Sequence, residues 1–289
     1  MTPLRQKMTN DMKLRRFAIG TQNLYIHAVK GLARYYHRSP DLISEEEAHY
    51  YLLYLQEERK LEWGSCNCMA AGLNFFYKTT LQYDNIRFKI PKRKQARKLP
   101  TIFSRPDLKK LFEAADTLRN RILLITAYSA GLRLSELVSL KPEHIESGRK
   151  LIRVEKGKGN KDRYTLLSDK LLKELKIYWK RYNPKEYLFY PTGNPHKPLG
   201  KNMAYKVFTR AKKKAGLTVG RGIHSLRHSF ATHLLEDGVD LYSIKTFLGH
   251  SSIYNTMIYL RLTQNRIKKI NSPFDMYGSV IEEVPHDQE

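Results

Sequence analysis

Apolar positions recur at helical spacing through most of this chain. Over 19–37, IGTQNLYIHAVKGLARYYH, the residues Tyr25, Val29, Leu32 and Tyr36 fall three or four apart and predict a helix that Thr21 can cap. SEEEAHYYLLYLQEE at 44–58 predicts a second helix, with Ser44 at the cap position and acidic residues in the first turn. SCNCMAAGLNFFYKT at 65–79 predicts a third, so the first 85 or so residues read as a small all-helical unit. PKRKQARKLP at 91–100 breaks the pattern, with proline at both ends and five basic residues between them. Beyond it, Ser104 and Pro106 open a helix over 104–115, and Gly131 interrupts an apolar stretch at 120–145, with a new helix starting near Arg133. Residues 151–155 and 163–167 read as short strands around the Gly- and Asn-rich turn KGKGNKD. Helices are expected at 169–181, 201–215, 224–238, 241–249 and 253–268, and the tail after Pro273 turns acidic, ending IEEVPHDQE.

Length and charge narrow this picture. A chain of 289 residues with 41% hydrophobic positions has room for two cored domains. Lys and Arg number 52 against 28 acidic residues, a net charge of +24 that points to a polyanionic partner without separating DNA from RNA. Cys66 and Cys68 form C-x-C with no further ligands at zinc spacing, so they read as plain thiols. The charged N-terminus does not resemble a signal peptide, and no stretch reaches the roughly 18–20 apolar residues of a membrane span. Asp and Glu do not cluster as two-metal catalysis requires, and GKGNKD lacks the P-loop form, so neither metal nor nucleotide cofactor is expected.

The residues that carry chemistry lie in the second half. His224 and Arg227 form H-x-x-R, three apart on one face at the start of a helix read as amphipathic, where free N–H groups favour an anion. Arginine grips phosphate with paired hydrogen bonds and histidine relays protons, although the pair alone is common on helix surfaces. Arg133 reads either as a surface cation or as a second guanidinium on the same phosphate, and Glu136 either orients it or carries solvent charge. Lys158 sits in the turn between the strands, able to enter a minor groove or protonate a leaving oxygen, with Lys156, Lys161 and Arg163 as close competitors. His250 ends the LGH sequence, and Tyr259 nine residues later is a candidate nucleophile that needs cations or a base to ionise, with Tyr254 as its rival. His228 and His233 are further histidines of this stretch, and His233 reads as packing or surface with no assigned chemistry. The basic segment can follow a phosphate backbone, which makes Lys92, Arg93, Lys94, Arg97 and Lys98 candidate DNA contacts, together with Lys156 and Lys161 of the turn.

Taken together, AYSAGLRLSELVSL at 127–140, VEKGKGNKDRYTLL at 154–167, IHSLRHSFATHLLEDG at 223–238 and IKTFLGHSSIYNTMIYLR at 244–261 resemble the tyrosine recombinase, or phage integrase, family, most closely its compact bacterial Xer-type members. The resemblance implies a two-domain, mainly α fold. An all-helical, SAM-like core-binding domain would span 1–90, a basic linker 91–100, a mainly helical catalytic domain with a small antiparallel sheet 101–272, and an acidic tail 273–289 that docks on a neighbouring subunit. It implies that Arg133 and Arg227 bind the scissile phosphate, Lys158 protonates the leaving 5′ oxygen, His224 assists proton transfer, His250 bonds the phosphate and Tyr259 attacks it. The implied activity is site-specific recombination through a 3′-phosphotyrosyl link and a Holliday junction, without metal or ATP. Its implied partners are double-stranded DNA with paired inverted-repeat core sites, three further recombinase copies (identical or related) and an accessory protein, in the cytoplasm. Two departures stand out. Tyr259 is followed by Leu260, Arg261 and Leu262 where the family often has Y-x-H, and the chain opens almost directly on core-binding helices, without the arm-binding domain of larger phage integrases. A type IB topoisomerase-like nicking enzyme and a non-catalytic DNA-binding protein on the same fold remain the alternatives.

Overall fold

The computed structural model describes residues 2–83, 85–90, 99–155 and 162–262. The expected DNA contacts Lys92, Arg93, Lys94, Arg97, Lys98, Lys156 and Lys161, the candidate acid Lys158 and the tail 273–289 lie outside these residues. Two compact units divide between Arg97 and Lys98.

Helices are the regular elements of the first unit among its described residues. Helix α1 (Pro3–Leu14) starts where the Thr2 hydroxyl accepts from the Arg5 N–H, with Pro3 in a position that needs no donor. Apolar periodicity does not announce this helix, because only Met8 and Met12, one turn apart, are buried along it. Helix α2 (Ile19–Tyr36) is capped by Ala18 rather than Thr21, which lies inside the helix. Ser44 and Glu47 close a capping box at the start of α3 (Glu45–Glu57). Helix α4 (Trp63–Phe75) continues into one wider turn, Phe76–Thr80. Cys66 on α4 is buried and Cys68 exposed. Leu32, Leu73, Phe76, Met8 and Met12 form the core, each fully buried apolar side chain contributing about 1.5–3 kcal/mol. The buried Tyr77 hydroxyl donates to the Ile43 carbonyl at 2.8 Å, so no polar atom is left unpaired there.

The second unit combines packed helices with a small sheet. Its first helices are α5 (Arg105–Glu113), α6 (Leu118–Ser129) and the short α7 (Leu134–Val138), and Ser104 and Thr117 cap α5 and α6. Three antiparallel strands follow in sequence order: β1 (Ile145–Glu146), β2 (Leu151–Val154) and β3 (Arg163–Leu166). Val154 lies opposite Arg163 and Ile152 opposite Thr165. The two-residue β1 is too short for a periodicity argument to find. Then come α8 (Asp169–Tyr182), α9 (Lys201–Lys214), α10 (His224–Glu236), α11 (Leu241–Leu248), α12 (Tyr254–Met257) and a final 3-10 turn, Ile258–Arg261.

Helix α10 is the centre of this unit, and the expectation of an amphipathic helix is corrected here. Buried residues run round it almost completely, among them Leu226, Arg227, Phe230, Ala231, His233 and Leu235. It packs on α6, on α11 and on the turn that carries Tyr259. A helix buried on all faces belongs inside a domain, and its polar side chains need partners there. The Ser229 hydroxyl accepts from the Phe103 N–H at 2.8 Å, and the Thr165 hydroxyl on β3 donates to the Ala130 carbonyl at 2.9 Å.

Gly131 sets the break between α6 and α7. Its φ is +57°, and an added Cβ would lie 2.3 Å from the Phe230 ring. Gly131→Ala is expected to destabilise the second unit by about 2 kcal/mol or more, through backbone strain and overpacking together. The measurement is the urea midpoint, with Gly148→Ala as the control, because an added Cβ there meets nothing within 4 Å. Equal midpoints for the two variants would contradict this reading.

Candidate active site

The C-terminus of α11 leaves carbonyls that no helical N–H reaches. Three consecutive ones each receive a guanidinium. Arg163 Nε donates to Phe247 O at 2.9 Å, Arg227 Nη2 to Leu248 O at 2.5 Å, and Arg133 Nη2 to Gly249 O at 3.3 Å. Gly249 turns the chain here with φ +62°, and an added Cβ would lie 2.6 Å from Arg163 Cδ. His250 follows directly.

The same three arginines share one carboxylate. Glu136 takes two parallel bonds from Arg163, both at 2.8 Å, and two from Arg133, through Nη1 at 2.7 Å and the backbone N–H at 2.8 Å. Arg227 Nη1 lies 3.8 Å from it and donates to the Gly131 carbonyl at 2.7 Å. Glu136 is therefore an orienting group and not a solvent charge. Burial pushes its carboxyl up, but the bonds and charge of Arg163, then the bonds from Arg133, outweigh this and hold it at about 2. Arg163 is correspondingly committed, which corrects its reading as a competitor of Lys158. Strand alternation carries the signal: Arg163 and Thr165 point inward while Tyr164 between them is exposed.

Three guanidiniums against one carboxylate leave an excess of two positive charges in a site where Arg227 is 1% exposed. Burial first, and then Arg133, drag Arg227 down to about 9. The nearby histidines feel the same field. His250 falls to about 4 through burial and the charges of Arg227, Arg133 and Arg163. His250 Nδ1 bonds the buried Thr256 hydroxyl at 3.0 Å, which fixes the ring. His224, the first residue of α10, keeps an open edge, and desolvation followed by Arg227 and Arg133 lowers it.

Tyr259 is 2% exposed and packs against Phe230, Ile244 and Leu248, whereas its rival Tyr254 is 77% exposed. Burial raises the phenol above its ordinary value, although Arg227 and Arg133 pull the other way. Its hydroxyl lies 3.0 Å from Nδ1 of His228, and His224 packs edge-on against His228 with ring centres 4.9 Å apart. Sequence reasoning left His228 without a role, although a spacing of four from His224 already put both on one helix face. His233 proves to be a packing residue, buried and bonded through Nδ1 to the Tyr128 hydroxyl at 2.9 Å.

A cleft of about 370 Å³ opens beside this row, lined by His224, His228, Ser225, Arg221 and residues 99–101. A larger apolar hollow of about 640 Å³ lies in the first unit, against Met8, Ile26, Val29 and Phe76, and holds none of the candidate catalytic residues. Among the described residues, no group of His, Cys, Asp and Glu is placed to hold a metal ion, and no helix is long and apolar enough to cross a membrane. What the arrangement offers chemically is a largely buried surplus of positive charge whose field reaches a buried phenol, which suits an anion.

The depressed Glu136 fixes the sign of a pH effect. Its contribution to stability is fully present above the unfolded value near 4.5 and is lost as pH falls through about 2. Glu136→Gln should cost on the order of 3 kcal/mol at pH 7, since it strands buried guanidiniums. In urea melts the gap between wild type and variant is expected to narrow from pH 5 towards pH 2. A gap independent of pH would contradict the assignment.

Residues 102–266 match the phage integrase family, and residues 4–86 match the N-terminal SAM-like domain of phage integrases. A putative integrase/recombinase of Sinorhizobium fredii, y4qK, is 40% identical over 277 residues, covering 96% of this chain and 90% of the relative. Tyrosine recombinase XerA of Thermococcus kodakarensis is 34% identical over 250 residues, covering 84% of this chain and 87% of the relative. A likeness of fold extends to the lambda integrase tetramer bound to a Holliday junction, with a TM-score of 0.69 at 18% identity over 88% of this chain and 76% of that one. The two-unit, mainly helical architecture with its three-stranded sheet and the family matches over both units agree: this chain belongs to the phage integrase family and is a tyrosine recombinase.

Proposed function

We propose that this chain cuts and rejoins DNA at specific sites through a covalent bond between Tyr259 and a 3′ phosphate. The observation that carries the reading is the cationic seat made by Arg133 and Arg227, held by Glu136, with the buried Tyr259 in its field. A bound phosphodiester offsets one of the two surplus positive charges, and the two guanidiniums stabilise the further negative charge that builds on its oxygens during attack. His250 donates to a non-bridging oxygen from Nε2 when the Thr256 hydroxyl donates to Nδ1. Lys158, from the turn outside the described residues, protonates the leaving 5′ oxygen, and His224 assists proton transfer. Attack by the 5′-hydroxyl of a partner strand reverses the sequence of steps and reseals the DNA. The phosphotyrosyl ester conserves the energy of the broken bond, so rejoining draws on neither metal nor ATP.

Two such exchanges through a Holliday junction recombine a pair of sites. We assign this chain a four-subunit assembly on paired inverted repeats. The lambda integrase tetramer, bound to such a junction, supports that reading by likeness of fold. The excess of basic residues favours the DNA surface, and the cytoplasm fits both the substrate and the two free thiols.

The test uses nicked duplexes carrying inverted repeats from DNA flanking the coding sequence, which trap the cleaved strand. The wild-type chain is expected to form an adduct stable to denaturing electrophoresis without metal or ATP. Tyr259→Phe should lose it entirely while DNA binding stays within about twofold. Loss of either arginine should slow adduct formation by about 10²–10³. Relaxation of supercoiled plasmid without any junction product would favour the topoisomerase-like alternative. Specific binding with no adduct would favour a non-catalytic role.

A further inference from the structure

The proposed attack leaves a proton to be removed. Tyr259 is buried and its phenol is raised by that burial, so the hydroxyl reaches the phosphate protonated at neutral pH. The family resemblance gives proton transfer to His224, yet the ring in hydrogen-bonding contact with the hydroxyl through Nδ1, at 3.0 Å, is that of His228. His224 stacks edge-on against His228.

We infer that His228 is a catalytic residue, the direct proton acceptor of Tyr259 during cleavage and its proton donor during rejoining. The inference rests on the recombinase reading above. As the Oη–P bond forms and the P–O5′ bond breaks, the phenolic proton passes to Nδ1 of His228, and the acid supplies a separate proton to the 5′ oxygen. Rejoining reverses both transfers: His228 returns its proton to the departing Tyr259 oxygen, and the attacking 5′-hydroxyl gives its own to the acid. Atoms and charge balance without a further reactant.

Three observations converge on this role. His228 is the residue after Arg227 on the central helix, so the group that holds the phosphate and the group that takes the proton are fixed to each other by backbone. His228 and His224 both line the 370 Å³ cleft, so a proton accepted at Nδ1 has a neighbour that opens to solvent. Burial first, then His224 and Arg227, hold His228 down to about 4, so the ring is neutral and able to accept. The arriving phosphate offsets the part of this depression that comes from Arg227, which raises the ring's basicity as the phenol needs it.

The same helix supplies an internal control. His233 bonds the Tyr128 hydroxyl through Nδ1 at 2.9 Å, with the rings edge to face, and it too is buried. A role confined to packing should therefore affect both pairs alike.

The experiment is single-turnover adduct formation on the duplex that yields the wild-type Tyr259 adduct, in an oxygen version and in a version with sulfur at the 5′-bridging position. Sulfur leaves without protonation, so it rescues a missing acid and not a missing base. His228→Gln and His228→Ala are expected to slow both substrates by about 10²–10⁴, and a more acidic fluorotyrosine at position 259 should recover part of the loss. His233→Gln should lower the urea midpoint and leave the rate within about threefold. A defect in His228→Gln that disappears with sulfur, that is untouched by fluorotyrosine, or that never appears would overturn the inference while leaving the wild-type adduct intact. Absence of any wild-type adduct at Tyr259 would sink the recombinase reading and this inference with it.

Discussion

One buried carboxylate and one helix end hold this candidate active site together. Glu136 and the last carbonyls of α11 are addressed by the same three arginines, so α7, β3, α10 and the α11 terminus meet at a single ionic knot. Each component would be unfavourable alone: an unpaired carboxylate, three like charges, and orphan carbonyls in a desolvated place. Combined they satisfy one another, and the geometry tolerates little variation because Arg163 lies against Gly249 and the Phe230 ring against Gly131.

The knot is satisfied in hydrogen bonds but not in charge. Burial first, and then its surplus charge, depress the neighbouring histidines and Arg227, and that charge pulls against the burial that keeps the Tyr259 phenol protonated. Such a site is poised for a group that brings negative charge and gains more in the transition state, as a phosphodiester under attack does. On the proposed function, folding and chemistry draw on the same residues. Glu136 supplies enough negative charge to assemble the arginines and leaves enough positive charge for them to act.

Much of this was legible in the sequence, for identifiable reasons. Helices with strong periodicity or a clear cap, such as those after Ser44 and Ser104, are local features and form where local rules put them. Helix α1 was not legible, because two methionines one turn apart are its only buried residues and its apolar partners come from elsewhere in the unit. Helix α10 reads as amphipathic in the sequence because Ser, Thr, His and Arg count as polar in any pattern, yet Arg227, Ser229 and His233 are buried and hydrogen-bonded here. The candidate catalytic set rested on the family resemblance more than on any spacing. What that set left out were the partners: Glu136 read only as an option, Arg163 read as a rival to Lys158, and His228 read as nothing. These roles are created by contacts between segments 27 to 96 residues apart in the chain, such as Glu136 with Arg163 and Gly131 with Arg227, and no local rule encodes them.

The claim that Glu136 and its arginines act as one unit is tested most directly by a double-mutant cycle. Glu136→Gln, Arg163→Met and the double variant would be unfolded in urea at pH 7. Residues that share a buried ionic network should couple, so the double variant is expected to fall short of the summed single losses by about 2 kcal/mol. Additivity within about 0.5 kcal/mol would mean that the two residues stabilise the unit independently, and the account of a site built on one shared carboxylate would be wrong.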